Sequence, residues 1–267
     1  MYYHGTLSIA VRKLDESQVE VQCVLLSTGY EAVATLRVDA GSFQVQSAVW
    51  QVHQSPESQQ NGGGEAHELV GVEAYFKAGP ALKAVGKAHG DLPRQLMAEC
   101  VKGMIQAETY LFKERGYSTL QEYDDDYVKM SLDTCYLYSN MKRKTMPWLV
   151  YIANRDVGDC LFNRTKTISI HYENAVARAE GFFIDCFHEL HITLEADAGL
   201  VKKVDGEFVR VPDPICPEVA LLLKGFENKL VVDLTKSEVG KGCGGGPGCA
   251  HLSDLMSYML QTLEKHM

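Results

Sequence analysis

An eleven-residue stretch occurs twice in this chain, and that recurrence limits the fold more than any other feature. Glu31-Ala-Val-Ala-Thr-Leu-Arg-Val-Asp-Ala-Gly41 and Glu189-Leu-His-Ile-Thr-Leu-Glu-Ala-Asp-Ala-Gly199 agree at six positions, where average amino-acid usage gives about one by chance. Thr6-Leu-Ser-Ile9 likewise matches Thr167-Ile-Ser-Ile170. In both halves strands precede a polar turn, a short helix, a glycine-containing loop and an amphipathic helix. This order predicts two tandem copies of one α+β unit. Residues 1–160 form a first, diverged repeat with a helical extension, and residues 161–267 a second.

β-Branched content and alternation place strands at Thr6–Val11, Val19–Leu25, Ala32–Val38 and Phe43–Val52, an antiparallel meander. Gln54 to Gly64 (QSPESQQNGGG) reads as a loop tip or local disorder. Between Arg94 and Lys113, Met97, Cys100, Val101, Met104, Ile105 and Leu111 lie on one helical face. Gly103 weakens that helix by about 1 kcal/mol relative to alanine. Glu122-Tyr-Asp-Asp-Asp126 reads as a solvated helix start, with a hard-cation site as the alternative. The expected architecture is two antiparallel sheets related by pseudo-two-fold symmetry, each covered on one face by helices.

The 267 residues are 46% hydrophobic and 23% charged, a globular composition. The formal net charge of −9 argues against nucleic-acid partners and anionic membranes. No apolar run reaches the roughly 18 residues of a membrane span. Met1-Tyr-Tyr-His-Gly5 lacks the basic and apolar regions of a signal peptide. The expected location is cytoplasmic, where the eight cysteines stay mostly reduced.

Chemistry concentrates near the C-terminus, in Val239–Ser257 (VGKGCGGGPGCAHLSDLMS). Cys216, Cys243, Cys249 and His251 make a Cys₃His set suited to zinc, with His188 or Cys135 as substitutes for Cys243. An iron–sulfur cluster fits less well, because closely spaced thiolates are missing. Cys249, just before a helix, could instead be an activated thiol with His251 as its base. Alternatively, the Gly242–Gly248 loop presents N–H groups to an anion, or the cysteines are inert core residues. In His188-Glu-Leu-His191 the two histidines point to opposite strand faces, so one at most joins a site. Cys186 reads as core. When the terminal helices of the two copies are set together by their apolar faces, Cys249 falls opposite Arg94 and His251 opposite Leu96. Only the second copy then carries the cluster.

Ile215-Cys-Pro217 and Gly248-Cys-Ala-His-Leu-Ser-Asp-Leu255 resemble a bacterial family, domain of unknown function number 2889, over roughly residues 161–267. The resemblance implies a bacterial cytoplasmic protein and motif positions at Cys216, Cys249, His251 and His188. It implies no activity. Cys243 lies outside the motif. The expectation is a non-enzymatic protein that binds metal or a small ligand, or serves a protein partner. Its alternatives are a thiol enzyme and a structural scaffold.

Overall fold

A computed structural model describes residues 2–57, 61–153, 155 and 157–266. The protein is α+β, with a large antiparallel sheet and several helices. Among the described residues nine strands, β1 (Tyr2–Lys13), β2 (Gln18–Ser27), β3 (Glu31–Asp39), β4 (Val45–Gln54), β5 (Gly62–Glu65), β6 (Cys160–Glu173), β7 (Val176–Asp185), β8 (Glu189–Asp197) and β9 (Leu200–Arg210), take the order β5-β4-β3-β2-β1-β6-β7-β8-β9. Two separate sheets are thus replaced by one. The cause is pairing of β1 with β6. Lys13 N–H donates to Asp159 O, Ser8 Oγ lies 3.5 Å from Thr165 Oγ1, and His4 Nδ1 lies 2.9 Å from Ser169 Oγ. Numbers rising on one strand and falling on the other mark an antiparallel pair, and neither strand is left as an exposed edge.

The chain forms two compact units that interleave in sequence. One comprises Gly5–Tyr123 with Arg155–Thr165, and the other Met1–His4, Asp124–Asn154 and Lys166–Met267. The segment Asp124–Asn154, placed by the sequence pattern with the first repeat, therefore belongs with the C-terminal unit.

In the unit built on Gly5–Tyr123, alternate residues of β1 to β3 are buried, as a half-covered sheet requires. The covering element is α2 (Asp91–Ala107), which follows α1 (Gly79–His89) and packs on β2 and β3. Met97, Cys100, Val101 and Met104 are buried as the periodicity predicts. Gly103 is not a mere weakness. A Cβ there would stand 2.7 Å from Ile9 Cγ2 and 3.2 Å from Val11 Cγ2, so the missing side chain lets the helix approach the sheet. The helix ends sooner than expected, and Leu111 is buried beyond a 3₁₀ turn at Glu108–Tyr110. Between β4 and α1 the expected loop contains a strand. Gly62–Glu65 pairs with β4, and the open faces of Gly63 and Gly64 fit against Trp50 O and the Trp50 indole. Residues 58–60 of that expected loop lie outside the described residues.

In the C-terminal unit β7 alternates strictly between buried and outward positions. The helix α7 (Ala250–His266) covers β7 and β8 with Leu252, Leu255, Met256, Met259, Leu260 and Leu263. Here the close approach is granted by the strand, since a Cβ on Gly181 would sit 2.6 Å from Met259 Sδ. Before α7 come α3 (Leu120–Ser131), α4 (Tyr136–Ser139), α5 (Trp148–Ile152), a long 3₁₀ stretch at Cys216–Phe226, and α6 (Lys236–Cys243). α6 starts with an N-cap, in which Thr235 Oγ1 accepts from Glu238 N–H. It also absorbs the first half of the glycine-rich stretch, because Gly242 leaves room for the Phe226 ring. No helix among the described residues is long and apolar enough to cross a membrane.

Candidate metal centre

The turn joining β7 to β8 builds half of the candidate site. Asp185 N–H donates to His188 O, closing a hairpin of Asp185, Cys186, Phe187 and His188. The buried Asp185 carboxylate turns back into it. Its Oδ1 accepts from the backbone N–H groups of Phe187 and His188, both at 2.7 Å, and lies 3.2 Å from His188 Nδ1. An aspartate holding the N–H groups two and three residues ahead is the chemistry that favours Asp at turn starts. The outward carbonyls are held too. Arg210 donates to Cys186 O and Asp185 O at 2.8 and 2.7 Å, and Tyr151 Oη–H donates to Phe187 O. Cys186 is thus a partly exposed turn residue and not core. Its carbonyl does the structural work.

The other half comes from the start of α7. His251 stands in the first turn, with its ring edge-on to Phe183 at 5.4 Å and stacked on His188 at 3.8 Å between centroids. Cys249 Sγ lies 3.8 Å from His251 Nδ1. Asp185, His188 and His251 each offer a ligand atom, all within 4.8 Å of one another, and this group could hold a metal ion. Two imidazole nitrogens and a carboxylate are ligands for borderline divalent metals, and zinc accepts both kinds.

The candidate set read from the sequence is therefore only partly assembled in this group. His188 and His251 are in it, and Cys249 adjoins it through His251. Cys216 and Cys243 are outside it. Cys243 is fully buried, and its thiol points to Val239 O within α6. Cys216 opens the 3₁₀ stretch beside Asp213. Asp185 was not among the expected ligands. It closes the apolar run Gly181-Phe-Phe-Ile-Asp185, and its sign in the sequence is the Asp-x-x-His spacing of a hairpin turn. His191 is on the opposite strand face from the buried residues, stacked on Phe182 at 4.2 Å, so one histidine of the pair joins the site.

The thiols around the site are protonated near neutral pH. Burial pushes Cys249 up to about 11, although the N–H groups of Leu252 and His251 face its sulfur and pull the other way. Burial likewise raises Cys216 and Cys243 to about 12, each with a further contribution from Cys249. In the glycine-rich loop, three N–H groups are engaged by the protein's own carbonyls. The N–H groups of Gly244, Gly248 and Cys249 donate to Gly240 O, Gly245 O and Cys243 O. A Cβ on Gly248 would lie 2.1 Å from Cys243 O, which explains glycine there.

A strap from Cys135 to Ile152 flanks these elements. Tyr136 N–H donates to Gly248 O, and Arg143 grips both carboxylate oxygens of Glu218. The buried Asp213 accepts from the N–H groups of Thr145 and Met146 at 2.7 and 2.8 Å. Burial alone would raise Asp213, but these donors and Ile215 N–H outweigh it and hold the carboxyl below its usual range. Trp148 then packs edge-on to Phe187 at 4.8 Å. The acidic run before the strap does not behave as a solvated helix start throughout. Asp124 is buried, its Oδ1 has no hydrogen-bond partner, and burial raises its carboxyl.

Comparisons with protein families, with curated proteins and with solved structures returned no match.

Proposed function

We propose that this is a non-enzymatic metal-binding protein, with zinc as the ion and Asp185, His188 and His251 as its core ligands. One observation carries this reading: a buried carboxylate and two imidazoles from a hairpin and a separate helix converge within 4.8 Å. Such convergence of ionisable groups inside a fold marks a site. The rival, a thiol enzyme using Cys249 with His251, needs a thiolate, and burial at Cys249 opposes one. Elemental analysis of untagged protein, purified without chelator, is the test. Near-stoichiometric zinc, lost in His251→Ala and Asp185→Asn, is expected. Metal-free protein that also fails to bind added zinc would defeat the proposal and leave the scaffold reading.

The duplication enters the proposal as its evolutionary half. The β3–β4 ladder shifts register at Glu31/Ala32 and Arg37/Val38, and the β8–β9 ladder at Glu189/Leu190 and Glu195/Ala196, which are corresponding places in the repeated eleven residues. Isolated bridges Gln44↔Glu73 and Leu200↔Leu230 follow each pair of ladders. Gly71 and Asn228, the residues two before each bridge partner, both have positive φ. The buried residues of α2 and α7 follow the same spacing when Leu96 is aligned with Leu255 and Met97 with Met256. Cys249 then faces Gly90 and His251 faces Leu92, one turn from the alignment by sequence alone. At the hairpin, Ser27 and Tyr30 stand for Asp185 and His188, with Ser27 Oγ accepting from Tyr30 N–H. The first copy keeps the turn and lacks all three ligands. Kinship with the domain-of-unknown-function family rests on the Ile215-Cys-Pro217 and Gly248–Leu255 motifs alone.

A further inference from the structure

Two side-chain contacts between candidate ligand atoms lie on different elements. On the hairpin, Asp185 Oδ1 and His188 Nδ1 are 3.2 Å apart, and at the helix start Cys249 Sγ and His251 Nδ1 are 3.8 Å apart. Zinc bonds of about 2.0–2.1 Å to N or O and about 2.3 Å to S, at a tetrahedral angle, put two N/O ligands about 3.3 Å apart and an S/N pair about 3.6 Å apart. The two contacts match the lengths of two edges of a zinc tetrahedron, and Cys249, which adjoins the three-residue group through His251 and is not within it, would move in with the His251 ring to close the shell.

We propose that Cys249 is the fourth ligand, so that the ion sits in a closed Asp185–His188–Cys249–His251 shell and fastens the β7–β8 hairpin to the start of α7. This rests on the metal reading above and narrows it. The ion bridges two elements, and no position stays open for water or substrate, as in structural rather than catalytic zinc sites. The coordination step is a simple exchange: the Cys249 S–H proton leaves to solvent and the sulfur lone pair forms the metal bond. The stacked His188 and His251 rings rotate apart to admit the ion, since stacking at 3.8 Å brings them closer than two imidazoles bound to one centre.

The test is cobalt(II) titration of the metal-free full chain, followed by absorption spectroscopy. The expected result is a near-ultraviolet thiolate-to-cobalt charge-transfer band with intense tetrahedral visible absorption. Cys249→Ser should lose the charge-transfer band while cobalt still binds more weakly, and Cys216→Ser and Cys135→Ser should keep it. Tight cobalt binding with no such band in the unaltered protein overturns the fourth ligand but leaves the three-ligand centre standing. Loss of the band in Cys216→Ser and not in Cys249→Ser overturns it as well. Absence of any cobalt or zinc binding sinks the metal reading itself.

Discussion

His188 and His251 stack almost ring on ring, 3.8 Å between centroids and 29° between planes, although 63 residues separate them in the chain. One ring is carried by a hairpin turn and the other by the first turn of a helix. An ion held by both rings would tie the hairpin to the helix start. Added zinc is therefore expected to slow amide exchange in residues 183–190 and 249–254 and leave the Gly5–Tyr123 unit unchanged, as read by hydrogen–deuterium exchange. Uniform protection across both units would count against a local site.

Asp185 has two tasks, and substitutions separate them. Asp185→Asn keeps an oxygen for the N–H groups of Phe187 and His188 but removes the charge, so zinc affinity falls while the hairpin persists. Asp185→Ala leaves two buried donors without this acceptor and costs about 1–3 kcal/mol of stability as well. Urea denaturation of the metal-free variants checks the difference.

Asp213 should make the strap acid-labile. Its carboxyl is held below the usual range in the folded protein, so it binds fewer protons folded than unfolded at mildly acid pH. Its contribution is complete above the ordinary carboxylate value and is lost as pH falls through the lowered one. Exchange at the amides of Thr145 and Met146, corrected for intrinsic rates, should rise selectively over that window, and Asp213→Asn should remove the pH dependence.

The two glycines under the helices differ in what they face. Gly103→Ala drives a methyl into the stiff, β-branched Ile9 and Val11, and should cost about 1–3 kcal/mol despite alanine's better helix propensity. Gly181→Ala meets the flexible Met259 thioether first, and should cost less, below ~1.5 kcal/mol. Denaturation midpoints of the two variants settle the order.

Lys166 is almost wholly buried, with its ammonium 2.9 Å from Asp254 Oδ2 and 5.1 Å from the Tyr258 ring centre. Removing the counter-charge in Asp254→Ala should cost about 3–5 kcal/mol. The pair Lys166→Met with Asp254→Leu should recover most of that loss. A double-mutant cycle measures the coupling.

Much of the fold is legible in the residues themselves. Alternation locates β1 to β4, because each strand has one covered and one open face, and the repeat window anticipates β8. Pairing of β1 with β6 was not legible, since strand partners are chosen by contacts distant in sequence. β5 is hidden by the turn composition of Gly62-Gly-Gly64; its strand exists through the flat Trp50 surface it lies on. At the candidate site, His188, Cys249 and His251 stood out as residue types with few bland uses. Asp185 was hidden as an ordinary turn former, and Cys216 and Cys243 lie outside the Asp185–His188–His251 group.

The interleaving of the two compact units bears on how the chain is made. The N-terminal unit includes Arg155–Thr165, and the C-terminal unit includes the stretch before Gly5. A ribosome working from the N-terminus at about 5–20 residues per second must pass Thr165 before the first unit has all its parts. The stretch before Gly5 then waits for the segment after Thr165 to find its place. A truncation after β5 would leave β1 without its β6 neighbour, so separately expressed halves should aggregate through that bare edge, and co-expression should rescue them.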